Sequence, residues 1–294
     1  MLRIDEKGEL FSFRHEAMAA DLVVSLGGVD QDYARQTAQA FFARVDEIEA
    51  KLSLYQESSD VTRINLMQPG DETRVSEECM ECLQLAMAAS GLTGERFHPF
   101  LGVDALKVKG NVPAYLNPLL RSDEAVELFS AVQIDPQSRY LKKLAAGVIL
   151  DFGGIGKGFA LDQGMLEIED WEIPVAMANF GGSTLLFRAE ESAEPWTAKL
   201  GERSLKPFRS GAFSSSGTGF QGEHIVSRSG RPLLWKRSFA RSQSAALADA
   251  LTTGAMLMGE GELEALCAAE EGLALAATGE GVSWGVERFC DWEG

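Results

Sequence analysis

The sequence predicts an α+β fold in which mixed or antiparallel sheets are layered with helices. Three observations carry this. Segments with apolar residues at helical spacing interleave with short apolar runs that end in glycine pairs. The two kinds of segment follow no regular βαβ beat, which a parallel sheet with crossover helices would impose. Apolar residues make up 45% and charged residues 24% of the 294, close to globular averages. With no internal repeat, low-complexity tract or long linker, residues 1–294 are expected to form a single domain.

In chain order, "AMAADLVVSLGG" predicts a strand that turns at Gly27-Gly28. From Asp32 to Lys51 the spacing of Ala34, Ala38, Phe41, Phe42, Val45, Ile48 and, just beyond, Leu52 predicts a helix with one buried face. "LSLYQESSDVTRIN" reads as a polar loop, and "SEECMECLQLAMAASG" as a helix capped by Ser76. An irregular Gly- and Pro-rich stretch from Gly94 to Pro118 and a short helix after Ser122 follow. Gly147 to Glu167 reads as strand, glycine turn and helix, and "PVAMANFGGS" as a strand ending in a glycine pair. Short strands with Gly/Ser turns extend to about Trp235. Helices are expected over Ser244–Met258 and Gly261–Glu271, and "LALAATGEGVSWGVERF" closes as a hairpin.

The formal charge of −17 excludes a nucleic-acid role, because binding a polyanion needs a basic footprint. The charge is uneven: between Lys199 and Arg241 nine Lys or Arg face two Glu, a local +7. Such a segment suits a small anionic ligand or an acidic partner segment, and equally an ordinary basic surface. No apolar run approaches the ~20 residues needed to cross a bilayer. The N-terminal residues show neither an apolar signal core nor an early cysteine for lipid attachment. The chain as written is therefore expected in the cytoplasm, or in the periplasm if a leader has been removed. Cys79 and Cys82 form a C-x-x-C within a predicted helix, with no second pair or nearby histidine for zinc. All four cysteines are expected to be free thiols of a reducing compartment.

"GVILDFGGIGKGFALD", residues 147–162, places Gly153, Gly154, Gly156 and Gly158 around Lys157. It is no Walker loop, because Asp151 and Gly158 stand where that motif needs a glycine and a Ser or Thr. Nor is it a dinucleotide fingerprint, because Phe159 occupies the third glycine position. What remains is backbone that can approach a ligand closely and amides opening a helix, which attract anions. A glycine-rich strand-to-helix turn that binds nothing has the same appearance. Farther on, Asp249 and Thr253 lie four apart in "ALADALTTGAMLMG", so their oxygens share one helical face. This hard-oxygen pair suits Mg²⁺; an Asp near a helix start also serves as a cap or dipole partner.

Taken together, "DFGGIGKGFALD", "NFGGS", "HIVSRSG" and "SAALADALTTGAMLMG" occur in the order and spacing of the ApbE family, the Mg²⁺-dependent FAD:protein FMN transferases. "KLSLYQESSDVTRIN" and "GERFHPFLG" resemble that family's N-terminal motifs, so the likeness spans about residues 16 to 275. It implies two closely packed lobes with a flavin-nucleotide cleft between them. It also implies metal ligation by the Gly154 main-chain oxygen, Asp249 and Thr253. In the same terms Asp151 contacts the flavin nucleotide and Lys157 meets the diphosphate or adenosine side of FAD. Met18, Tyr55, Arg96, Phe97, His98, His224 and Ile225 would line the cleft, with Tyr55 packing on the isoalloxazine.

The implied activity is protein flavinylation: FMN passes from FAD to a threonine hydroxyl of an acceptor flavoprotein subunit or domain, and AMP leaves. Asp151, Asp249 or His224 would accept the threonine proton. Two alternatives share the constellation, an FAD pyrophosphatase yielding FMN and AMP and a degenerate, non-catalytic flavin-binding protein. Departures from the family pattern favour attention to the last. Met-Gly-Thr reads Met18-Ala19-Ala20, Phe-Asp-Pro reads Phe97-His98-Pro99, Gly-Gly-Asp reads Gly181-Gly182-Ser183, and the histidine motif is shortened to "HIVSRSG". His15 is expected at the surface, while His98 and His224 suit either a structural or a ligand role.

Overall fold

The computed structural model describes residues 2–4, 9–121, 127–201, 203–217, 232–279, 287–288 and 292. Its N-terminal part runs β1 (Leu2–Ile4), β2 (Leu10–Ala17), β3 (Ala20–Gly27), α1 (Gln31–Leu52), α2 (Asp60–Leu66), β4 (Glu72–Arg74), α3 (Glu77–Leu92) and α4 (Gly102–Lys109). Then come β5 (Val132–Asp135), β6 (Tyr140–Lys143), α5 (Gly156–Asp170), β7 (Val175–Phe180), β8 (Thr184–Ala189), β9 (Ala198–Leu200), β10 (Arg203–Ser204) and β11 (Ser210–Gly217). The remainder is β12 (Arg237–Ser242), α6 (Ala245–Ala255), α7 (Glu260–Ala269), β13 (Ala274–Thr278) and β14 (Glu287–Arg288).

An eight-stranded sheet of order β14-β13-β12-β11-β8-β7-β3-β2 forms the centre, and every neighbouring pair in it is antiparallel. Successive side chains leave a strand on opposite faces. Leu186, Ala212 and Ala240 therefore join the large core with the helices, while their neighbours Phe187, Phe213 and Phe239 join a second core on the other face. That second core is closed by the small sheet β1-β9-β10, whose Ala198 and Leu200 are buried, together with Trp196 and Trp292. Two-sided burial thus builds the layered α+β arrangement that the irregular alternation of elements predicts.

The helices follow their caps. The Asp30 side chain accepts from the Asp32 and Tyr33 amides, both at 3.0 Å, and starts α1, which buries Ala34, Phe41, Val45 and Ile48. Ser76 caps α3 as its sequence predicts. The segment expected as a polar loop contains α2, started by Ser59; its polar residues Asp60, Thr62 and Asn65 are buried and hydrogen-bonded, so it shows no apolar periodicity. The irregular stretch contains α4 and a 3₁₀ segment, Ala114–Arg121. The helix expected after Ser122 begins outside the described residues; beyond them Leu128–Ser130 is 3₁₀. Before Asp151 the chain makes a single parallel bridge, Leu101 to Ile149, where a strand was expected.

Two cysteine expectations part company. Cys79 and Cys82 are free and buried, and burial pushes both thiols up, the opposite of a reactive pair. Cys267, expected as a free thiol, is disulfide-bonded; pairing depends on proximity in space, which sequence spacing does not report. Among the described residues no helix is long and apolar enough to cross a membrane.

The predicted strand ending at Gly27-Gly28 is β3, and its partner β2 lies in the charged N-terminal stretch. Their two-residue turn holds Met18 at φ 48 and Ala19 at φ 55, the left-handed pair that such hairpins require and that glycine normally supplies. Each side chain there costs about 1–2 kcal/mol. Ala19→Gly is expected to raise unfolding stability by up to ~1 kcal/mol after the unfolded chain's added freedom is subtracted. An unchanged or lower urea midpoint would contradict the strain.

Candidate functional site

The glycine loop is held in place from several directions. Asn65 of α2 acts as a surrogate strand: its amide donates to the Leu150 carbonyl at 3.0 Å and its oxygen accepts from the Leu150 N–H at 2.7 Å. The buried Lys143 Nζ donates to the Asn65 carbonyl at 2.9 Å. One residue later the Asp151 N–H donates to the Pro99 carbonyl at 2.9 Å, and Asp151 Oδ1 accepts from the Gly153 N–H at 2.8 Å. The chain then enters α5 at Gly156 without a side-chain cap at Ile155. The Gly156 N–H is taken by the Phe152 carbonyl at 2.6 Å and the Gly158 N–H faces the Asp249 carboxylate at 3.3 Å, so what this helix start offers an anion is chiefly the positive end of its dipole.

Gly158 decides how α5 meets α6. A Cβ there would lie 2.1 Å from the Ala245 carbonyl oxygen and 2.6 Å from the Ala246 nitrogen, so only glycine allows the two backbones to touch. The contact brings the loop onto the face of α6 that carries Asp249. Asp249 is 4% exposed. Its Oδ2 accepts from the Gly158 N–H at 3.3 Å and lies 3.9 Å from Lys157 Nζ, and its Oδ1 accepts from the hydroxyls of Thr184 at 3.3 Å and Ser214 at 3.4 Å. Thr253, one turn on, donates back to the Asp249 carbonyl at 3.5 Å. A Cβ on Gly154 would stand 3.3 Å from Thr253 Oγ1, so the loop backbone passes beside that hydroxyl.

These groups line one cavity of about 200 Å³, which Asp151, Gly154, Lys157, Asp249 and Thr253 share with Arg96, Phe97 and His98. The sequence-chosen residues are thus brought together across the chain, with two exceptions among the described ones. Met18 packs against the main core, its N–H donating to Glu49, and Tyr55 is 46% exposed; neither lines the cavity. His224 and Ile225 lie outside the described residues. Arg96 pairs with Glu262 at 2.6 Å. Phe97 is buried, with its ring 3.1 Å from where a Gly154 Cβ would stand, and forms packing beneath the loop. His98 is buried, and its Nδ1 accepts from the Phe100 N–H at 3.2 Å, which leaves any proton of the neutral ring on Nε2. His15, expected at the surface, is half-buried and pairs with Asp46 at 2.7 Å.

The donor set fits a hard cation. Among the described residues no group of three His, Cys, Asp or Glu could hold a metal, so an ion here would draw on one carboxylate, one hydroxyl and main-chain oxygen, with water or substrate filling the octahedron. All contacts to the Asp249 carboxylate are 3.3 Å or longer, against ~2.7–2.9 Å for a well-made charge-assisted bond. A carboxylate so loosely satisfied in a buried place retains capacity for an ion. Sequence reasoning missed Thr184 and Ser214, which approach Asp249 from adjacent strands and carry no local motif.

A model of the ApbE family matches residues 18–277. The chain superposes on the flavin transferase ApbE from Vibrio cholerae with a TM-score of 0.76 at 19% identity, covering 95% of this chain and 96% of that one. The ApbE protein from Thermotoga maritima gives 0.77 at 23% identity, with 95% and 97% covered. The flavinyl transferase ApbE of Pseudomonas stutzeri in its apo form gives 0.73 at 18% identity, with 92% and 93% covered. No curated protein sequence matches the chain. At these identities the superpositions speak for a shared fold, and the family match spans most of the sequence that builds the cavity. The chain belongs to the ApbE family.

Proposed function

We propose that this protein transfers the FMN half of FAD to a threonine hydroxyl of an acceptor protein in a Mg²⁺-dependent reaction that releases AMP. The observation that carries the reading is the convergence of Gly154, Asp249 and Thr253, from segments about 95 residues apart, on one cavity that also holds Asp151 and Lys157. The flavin transferases of Vibrio cholerae and Pseudomonas stutzeri share this fold, which makes flavin transfer the nearest activity to consider.

In this reading the acceptor oxygen forms a new bond to the FMN phosphorus, the diphosphate bridge breaks, and the bridging oxygen leaves with AMP. Bound magnesium would neutralise the diphosphate charge that grows as AMP departs. The chain's own residues position and stabilise, which is most of what phosphoryl-type transfer asks of a protein. The positive end of the α5 dipole and the Lys157 ammonium attract the diphosphate into the cavity. Asp151, its backbone tied to Pro99 and its carboxylate to the Gly153 amide, takes the acceptor proton. Asp249 is committed to the cation and is not the base.

The test is incubation of the protein with FAD and MgCl₂, with and without an acceptor bearing a Ser/Thr-Gly-Ala-Thr type segment. Flavin on the acceptor threonine is expected. Free FMN and AMP with an unlabelled acceptor would make the protein a pyrophosphatase, and an unchanged nucleotide would make it a binding protein.

A further inference from the structure

We propose that Asp162 is a positioning residue that holds Asp249 and Thr253 in register with the glycine loop, so that magnesium affinity depends on a carboxylate that does not itself touch the ion. The inference rests on the magnesium reading of the cavity given above.

Asp162 sits on α5 one turn after Gly158, on the same face. Its Oδ1 accepts from the Ala245 N–H at 2.8 Å; its Oδ2 accepts from the Ala246 N–H at 2.9 Å and from the Ser244 hydroxyl at 2.8 Å. These are normal to short bonds, in contrast to the long ones around Asp249. Asp162 therefore grips the first turn of α6 from the neighbouring helix, while Ser244 caps the same turn locally through the Leu247 N–H. Ala245, Asp249 and Thr253 follow at four-residue intervals, so the gripped residue heads the stripe that carries both ligands.

The consequence is geometric. A helix rises about 1.5 Å and turns about 100° per residue, so a one-residue slip of α6 past α5 would swing Asp249 out of the cavity. A smaller axial drift is also costly, because Mg²⁺ demands near-ideal octahedral geometry. Gly158 sets how closely the helices approach, and Asp162 sets where along its axis α6 stands. Burial raises the Asp162 carboxyl above its usual range even against its three donors, which shows how enclosed this grip is.

The test is titration of the full-length protein with Mg²⁺ alone by calorimetry, at a temperature where circular dichroism shows each variant folded. Asp162→Asn keeps the shape but turns a donor toward an N–H, and is expected to weaken Mg²⁺ about tenfold; Asp162→Ala is expected to weaken it toward a hundredfold. Ser244→Ala removes one donor of three and should cost about threefold or less. Asp249→Ala is the control that loses binding. Should Asp162→Ala fail to fold, the isosteric Asn variant decides. Asp162 variants that melt earlier yet bind Mg²⁺ as the wild type does, while Asp249→Ala binds none, would overturn this inference alone. Absence of Mg²⁺ binding by the wild type would overturn both it and the reading beneath it.

Discussion

Asp249→Ala is expected to lower FMN transfer by about a thousandfold or more, a barrier increase of ~4 kcal/mol. The residue offers the one carboxylate in the proposed ion set, and alanine returns nothing in its place. Loss of stability should be slight by comparison, because the contacts that Asp249 makes to Gly158, Thr184, Ser214 and Lys157 are all long. Asp249→Asn separates charge from shape: it preserves the volume, yet a neutral amide is a poor ligand for magnesium, so it should be nearly as inactive. Single-turnover transfer from FAD to an acceptor, measured across a magnesium series, checks this. Substantial activity in either variant would remove the ion from the place assigned to it.

Gly158→Ala is expected to destabilise the fold by ~3 kcal/mol or more. The added carbon would stand 2.1 Å from the Ala245 oxygen and 2.4 Å from the Ala245 carbonyl carbon. Both are main-chain atoms at the start of a helix and cannot turn aside as a side-chain tip could. Either α5 and α6 separate, which opens the core and moves Asp249 away from the loop, or the fold is lost. Gly156→Ala is the paired control, since its Cβ would meet only Phe152 Cβ at an ordinary 3.7 Å. Within a helix that change should be neutral or stabilising by up to ~1 kcal/mol. Urea unfolding of the two variants beside the wild type tests the contrast. Equal stabilities would mean that the helices do not meet where Gly158 lies.

The two halves of the site differ in how visible they are in the chain. Local rules capture α1 and α3, whose caps and apolar stripes are continuous, and the β7 strand with its left-handed Gly181-Gly182 turn. They fail at α2, because Asp60, Thr62 and Asn65 are buried through hydrogen bonds and leave no apolar rhythm. They fail at β2 for a related reason: it is an edge strand whose charged residues face outward, so the charges conceal the alternation. At the site, glycine spacing and the Asp249/Thr253 interval mark the main participants. Thr184 and Ser214 reach Asp249 from sequence distances of 65 and 35 residues, and nothing local announces them. Asp162 stands inside the glycine motif, but its task becomes apparent only with α6 beside it.

The bond from the Gly158 amide to Asp249 closes a loop of 91 residues. During synthesis, a nascent chain that has not yet emerged past Ser244 carries the whole glycine motif but neither Asp249 nor Thr253, the α6 side chains that share its cavity. On the magnesium reading proposed above, a chain cut short before Asp249 lacks the carboxylate of the ion set and is expected not to bind magnesium, whatever part of its sheet has assembled.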